Sequence, residues 1–340
     1  MSGVGGLGLT AFLGERDTHR GRFLAERVVD LLAGAGLEAA VLLRGAEGFG
    51  PRHLRRTDRL LSSSEDLPIV VSGVGEAEPV ERAAAEIAEI AGDRPVALHD
   101  VVLFDATDPL EPGANWPAGP WVRSTIHVGR DRRIGGRPAY EAVVTRLRAS
   151  GVEGASVLLG VDGILSGERR KGSFLSRNAD VPALVISVGD IETIARGLSS
   201  VRALPGERVV TVEEAHVCKS AGSPLAPDPE IPRRDELIRL TLHSSEQAHV
   251  GGRPVHVEAI RALRAAGAAG ATTVRGIWGF DGGHAPHGDS LRSLRRRVPA
   301  VTFVVDGPAE SRRWLEVLDE LTPGRGMITS ERLVPAVRPR

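Results

Sequence analysis

Arg44-Gly45-Ala46-Glu47-Gly48 returns as Leu159-Gly160-Val161-Asp162-Gly163 and again as Arg275-Gly276-Ile277-Trp278-Gly279. The leading glycines lie 115 and then 116 positions apart (160 − 45, 276 − 160). Other landmarks keep these intervals. Gly21-Arg22, Gly136-Arg137 and Gly252-Arg253 open amphipathic stretches. Gly36, Gly151 and Gly267 follow them, and Ala40, Ala155 and Ala271 stand four positions later. A pattern that repeats at one interval along a chain is one structural unit present several times, here three.

Within each copy the hydrophobic pattern predicts strand, helix, strand, long loop, strand, helix, strand. Leu24/Val28/Leu32, Ala139/Val143/Leu147 and Val255/Ala259/Leu263 step by four, which places them on one face of a helix. Pro138 and Pro254 suit a first helical position, and Gly36, Gly151 and Gly267 suit helix stops. Pro68, Pro182 and Pro299 mark the start of each third strand. The order βαββαβ is that of a ferredoxin-like unit. Two Pro/Gly-rich stretches, 105–120 and 219–235, read as linkers. The expected organisation is repeat one at 7–104, repeat two at 121–218 and repeat three at 236–335, an α+β chain of three tandem ferredoxin-like domains.

Composition narrows the function. Lys+Arg is 43 against 44 Asp+Glu, so a polyanion partner is not expected of the chain as a whole. Aromatic residues make up 4%, too few for a base-stacking nucleic-acid surface. The single cysteine, Cys218, forms no internal disulfide and fits a reducing compartment. No apolar run approaches a membrane span, and the N-terminus does not read as a signal peptide, so a cytoplasmic location is expected. Gly3-Val4-Gly5-Gly6-Leu7-Gly8 imitates a dinucleotide fingerprint, but it runs into a strand instead of linking a strand to a helix.

Leu13-Gly14-Glu15-Arg16-Asp17, Arg20-Gly21-Arg22, Arg44 to Gly50 and Ser64 to Val71 together resemble the DUF190 family of small PII-like proteins. Copy three keeps the skeleton in Gly252-Arg253-Pro254, Arg275 to Phe280 and Val298-Pro299. Copy two keeps it except for Leu159 in place of the arginine and the missing Gly-Phe pair. The resemblance implies PII-like domains that close into an intramolecular pseudo-trimer, with ligand clefts between repeats. It also implies that a long loop after the second strand contacts a partner protein. Some family members are encoded beside small fluoride-channel proteins, which implies a membrane transporter or channel as one kind of partner.

The candidate ligand residues follow from the same landmarks. Arg44, Gly45, Gly48, Gly160, Gly163, Arg275, Gly276 and Gly279 stand at the base of the long loops. There glycine admits backbone N–H groups to an anion, and arginine pairs with phosphate. Gly206, Arg208, Gly324 and Arg325 belong to the turns before the fourth strand, together with Gly92-Asp93-Arg94 of copy one. The expected activity is sensing, not catalysis. A small anionic ligand, with an adenine nucleotide as the leading example, binds between repeats, and the loops relay its presence. The cleft lined by copies one and three is expected to be the most competent. One alternative is a metal-assisted hydrolase built on His284, His287 and Asp289, whose imidazoles and carboxylate suit zinc. The other is a scaffold without a ligand.

Overall fold

Each repeat is laid down by alternating apolar runs, and a computed structural model shows how those runs associate. It describes residues 3–50, 56–57, 66–104, 112–113, 115–171, 181–220, 223–224, 236–281, 287–288, 298–324 and 326–336. Repeat one supplies β1 (Val4–Gly14), α1 (Leu24–Ala35), β2 (Ala39–Arg44), β3 (Pro68–Gly75), α2 (Ala77–Ala91) and β4 (Val96–Phe104). Repeat two supplies β5 (Trp121–Gly129), α3 (Ala139–Ala149), β6 (Gly154–Leu165), β7 (Pro182–Asp190), α4 (Ile191–Arg202) and β8 (Arg208–Glu214). Repeat three supplies β9 (Leu237–Ser245), α5 (Val255–Ala266), β10 (Ala271–Asp281), β11 (Pro299–Asp306), α6 (Pro308–Glu320) and β12 (Met327–Pro335).

Gly36 and Gly267 end α1 and α5 in the left-handed conformation, as glycine does most readily. Pro138 and Pro254 stand one place before their helices, not at the first helical residue. The first helical N–H is in use: Ala139 donates to the Arg132 carbonyl and Val255 to that of Ala248. A proline there would forfeit that bond.

The expectation of three separate ferredoxin-like domains in an intramolecular pseudo-trimer is corrected by the strand pairing. The chain forms a closed nine-strand antiparallel β-barrel with extra strands. The closed ladder runs β6–β10–β11–β9–β12–β4–β8–β5–β7 and returns to β6. β2, β3 and β1 cross between β6 and β4 as additional strands. The physical reason lies at the strand edges. Three separate sheets would each expose unpaired backbone along β2, β6 or β10 and along the fourth strands. Instead the end of β6 pairs with β2, the end of β10 with β6, and Glu47–Phe49, just past β2, with β10.

The helices cover one face of this sheet. Leu9, Ala11 and Leu13 of β1 pack on α1 and α2, and equivalent sets serve the other two repeats. The opposite face carries a cluster drawn from all three repeats, including Val41, Val70, Leu158, Leu184, Val274 and Val301. No helix among the described residues is long and apolar enough to cross a membrane.

Candidate functional site

Strand register gives a residue-by-residue correspondence between repeats. Gly8 faces Val74, Arg123 faces Val188 and Arg239 faces Val305, each six positions after the proline that starts its third strand. On the other side these residues face His99, Glu213 and Glu331. Two repeats therefore carry a buried Arg–Glu pair across their first and fourth strands, and repeat one carries Gly8 and His99. A Cβ on Gly8 would strike the His99 ring, so the glycine makes room for the imidazole.

These residues converge on the barrel side of the sheet. Glu213 is reached from all three repeats: by Arg123 Nε at 2.9 Å, Arg239 Nη2 at 3.1 Å and His99 Nε2 at 3.1 Å. Arg239 Nε also donates to Glu331, which accepts from the Thr241 and Thr329 hydroxyls as well. Burial alone would raise the Glu213 pKa, but Arg123, His99 and Arg239 outweigh it and hold the carboxyl at about 2. Burial pulls His99 down to about 4 against the opposing pull of Glu213. With that imidazole neutral, two guanidiniums face two carboxylates. Further along the same strands, burial also depresses His127 and His243 to about 4.

A cavity opens between repeats one and three. Its floor is aromatic and apolar: Phe12, Phe49, Phe303 and Val305, with Pro68 and Pro95 beside them. Phe12 and Phe303 meet edge to face at 6.5 Å. Its wall holds Asp17, Asp93 and Arg94. Arg94 donates to both Asp17 carboxylate oxygens, at 2.5 and 2.7 Å, and to the Ala91 carbonyl. Asp17 raises the Arg94 pKa against the opposing effect of burial. Backbone at Gly50 and Gly270 completes the opening.

The seam between repeats one and two uses the same ladder but is filled. Ala271 pairs with Phe49 at the open seam, and Ala40 pairs with Ile164 at the other. One step on, the residue corresponding to Gly50 is Leu165, which pairs with Ala39. Leu165 is buried against Ala39, Val74 and Val209. Val74 and Val209 correspond to Val305 and Pro95 of the open cavity.

The candidate residues chosen from the loop bases lie elsewhere. Arg44 is ion-paired with Glu15 at 2.9 Å, and Arg275 with Glu246. Gly45, Gly48, Gly160, Gly163, Gly276 and Gly279 lie where strands of neighbouring repeats touch and where each repeat's own third-strand proline crowds in. A Cβ on Gly48 would lie 2.6 Å from the Ala271 carbonyl oxygen, and one on Gly276 would lie 2.8 Å from that of Val157. None of the six has positive φ, so close approach accounts for them and turn geometry does not. Arg208 donates to the Val201, Leu204 and Gly206 carbonyls at the end of α4. Gly324 occupies a positive-φ turn, and Arg325 lies outside the described residues.

Of the described candidates, Asp93 and Arg94 from the turn before the fourth strand of copy one line the cavity and the loop-base residues do not; the expected pair of repeats forms it. Gly50 and Gly270 were missed because their meaning shows only against Leu165 and Ala39. Among the described residues no group of His, Cys, Asp and Glu could hold a metal ion. His284 and Asp289 lie outside them, and of His287 only the backbone is described.

The family model for DUF190, described as an uncharacterized ACR, matches residues 6–103, 121–217 and 237–334. The chain belongs to this family, as three tandem copies.

Proposed function

We propose that the chain is a small-molecule-binding regulatory protein whose site is the cavity between repeats one and three. The observation that carries this reading is the place of Gly50 and Pro68, which stand on either side of the long loop of repeat one in the sequence. Gly50, the last described residue before 51–55, and Pro68, the first residue of β3, are both cavity residues. An occupant therefore touches both stems of one loop. It shifts the loop populations if it binds one arrangement better than another, and a partner protein then reads the loop.

An adenine nucleotide suits this site through its base, which matches the aromatic floor. Its phosphates match the wall poorly, because Arg94 is committed to Asp17 and Ala91. Gly50→Leu tests the reading by importing the residue of the filled seam. A Cβ on Gly50 meets nothing within 4 Å and its φ is not positive, so the variant is expected to fold. Thermal-shift screening of nucleosides and other small metabolites on wild type should yield stabilising compounds, and calorimetry should show their binding lost in Gly50→Leu. Hits that bind the variant as they bind wild type would remove the cavity from consideration.

A further inference from the structure

We infer that the cavity between repeats one and three takes a small organic cation with a flat apolar body and disfavours phosphate-bearing ligands; this rests on the cavity being the ligand site.

The first support is the floor. The chain has seven phenylalanines, and three of them, Phe12, Phe49 and Phe303, line this one cavity. At the filled seam between repeats one and two the corresponding residues are His127, Ile164 and Ser72, so the three phenylalanines come together at this seam. Aromatic faces attract ammonium and other cationic groups through their quadrupole, and flat apolar bodies through burial.

The second support is the charge of the wall. In repeat one Asp17, Asp93 and Arg94 sum to one negative charge. The corresponding residues of repeat two are Arg132, Glu207 and Arg208, which sum to one positive charge. Those of repeat three are Ala248, Arg325 and Gly326, again one positive by sequence. The equivalence rests on observed bonds: Leu24, Ala139 and Val255, the first residues of α1, α3 and α5, donate to the carbonyls of Asp17, Arg132 and Ala248. Of the three walls, the one beside the open cavity is negative. Arg94 makes two short hydrogen bonds to Asp17 and a longer one, 3.4 Å, to Asp93, so one guanidinium serves two carboxylates and the wall keeps one net negative charge, most exposed at Asp93.

Three probes of similar size separate the possibilities: benzyltrimethylammonium, benzyl alcohol and phenyl phosphate, titrated by calorimetry into the full chain. The cation should bind best, and phenyl phosphate at least about tenfold more weakly, the size of effect one nearby charge produces at a part-buried site. Asp93→Asn should narrow the gap between cation and alcohol by about threefold without changing the alcohol itself. Its side chain is 62% exposed, so the fold should tolerate the change. Phenyl phosphate binding as tightly as the cation, in a manner sensitive to Gly50→Leu, would overturn the charge selection while leaving the cavity as the site. Cation binding insensitive to Gly50→Leu would overturn the cavity assignment itself. Failure of the cation to bind at all would overturn the inference.

Discussion

The seam between repeats one and three and the seam between repeats one and two pair their strands in the same register. At one step they carry different residues, Gly50 and Gly270 on one, Leu165 and Ala39 on the other, and the charges of their walls differ as well. Leu165 fills the space that its counterpart leaves empty, and the first seam becomes a cavity while the second becomes core. Three copies in one chain are free to diverge singly, so one seam can specialise while its neighbour supports the closed sheet. The central cluster shows the same divergence. Gly8 and His99 replace an Arg–Glu pair, and the sum of charges stays balanced with a neutral imidazole.

Four measurements test this comparison. The largest effect is expected at the group both seams depend on. Glu213→Gln leaves Arg123 and Arg239 buried without their shared carboxylate and should cost about 3–5 kcal/mol in urea unfolding. A loss below about 1 kcal/mol would mean the cluster does not hold the repeats together. Leu165→Ala should cost about 2–5 kcal/mol and open a second cavity, seen as new binding of a small aromatic probe. If the cost is small and no probe binds, the filled seam is not equivalent to the open one.

Acid should weaken the core common to all seams. His99, His127 and His243 have folded pKa values of about 4, below the 6.5 of the unfolded chain. The unfolded chain therefore binds more protons between these limits. Stability should be complete above pH 6.5 and fall as pH drops toward 4, by an upper limit of about 3 kcal/mol per imidazole. Glu213, about 2 folded against 4.5, adds a further loss from 4.5 down to 2. Urea midpoints measured against pH, with His99→Gln removing one imidazole's share of the slope, check this; a slope unchanged in that variant would be the contrary result. The smallest effect separates two glycines two positions apart. Gly48→Ala should cost about 1–3 kcal/mol through collision with the Ala271 carbonyl, whereas Gly50→Ala, facing open space, should change stability by less than about 0.5 kcal/mol. Equal costs would remove close approach as the reason for Gly48.

Much of the local structure was legible. Steps of four marked the helices, and Gly36 and Gly267 marked two of their ends. Function was less legible. Arg44 and Arg275 looked like phosphate ligands, yet each has an acidic partner 29 residues away in sequence (44 − 15, 275 − 246). Asp17 meets its partner Arg94 only in the fold, across 77 positions of sequence. The buried charges were hidden for a related reason. Arg123 and Arg239 are lone charged residues in their strands, Glu213 and Glu331 each stand beside a charged neighbour, Glu214 or Arg332, and nothing local shows that the four meet.

The sequence by itself determined that one unit occurs three times and where its helices and strands fall, because periodicity and the backbone preferences of glycine and proline are properties of neighbours along the chain. Only the tertiary structure decided that the units merge into one closed sheet, and that the seam between repeats one and three opens into a cavity while the one between repeats one and two is filled. Those outcomes depend on which strand edges meet, and on whether a side chain such as Leu165 or a bare glycine such as Gly50 arrives at the junction.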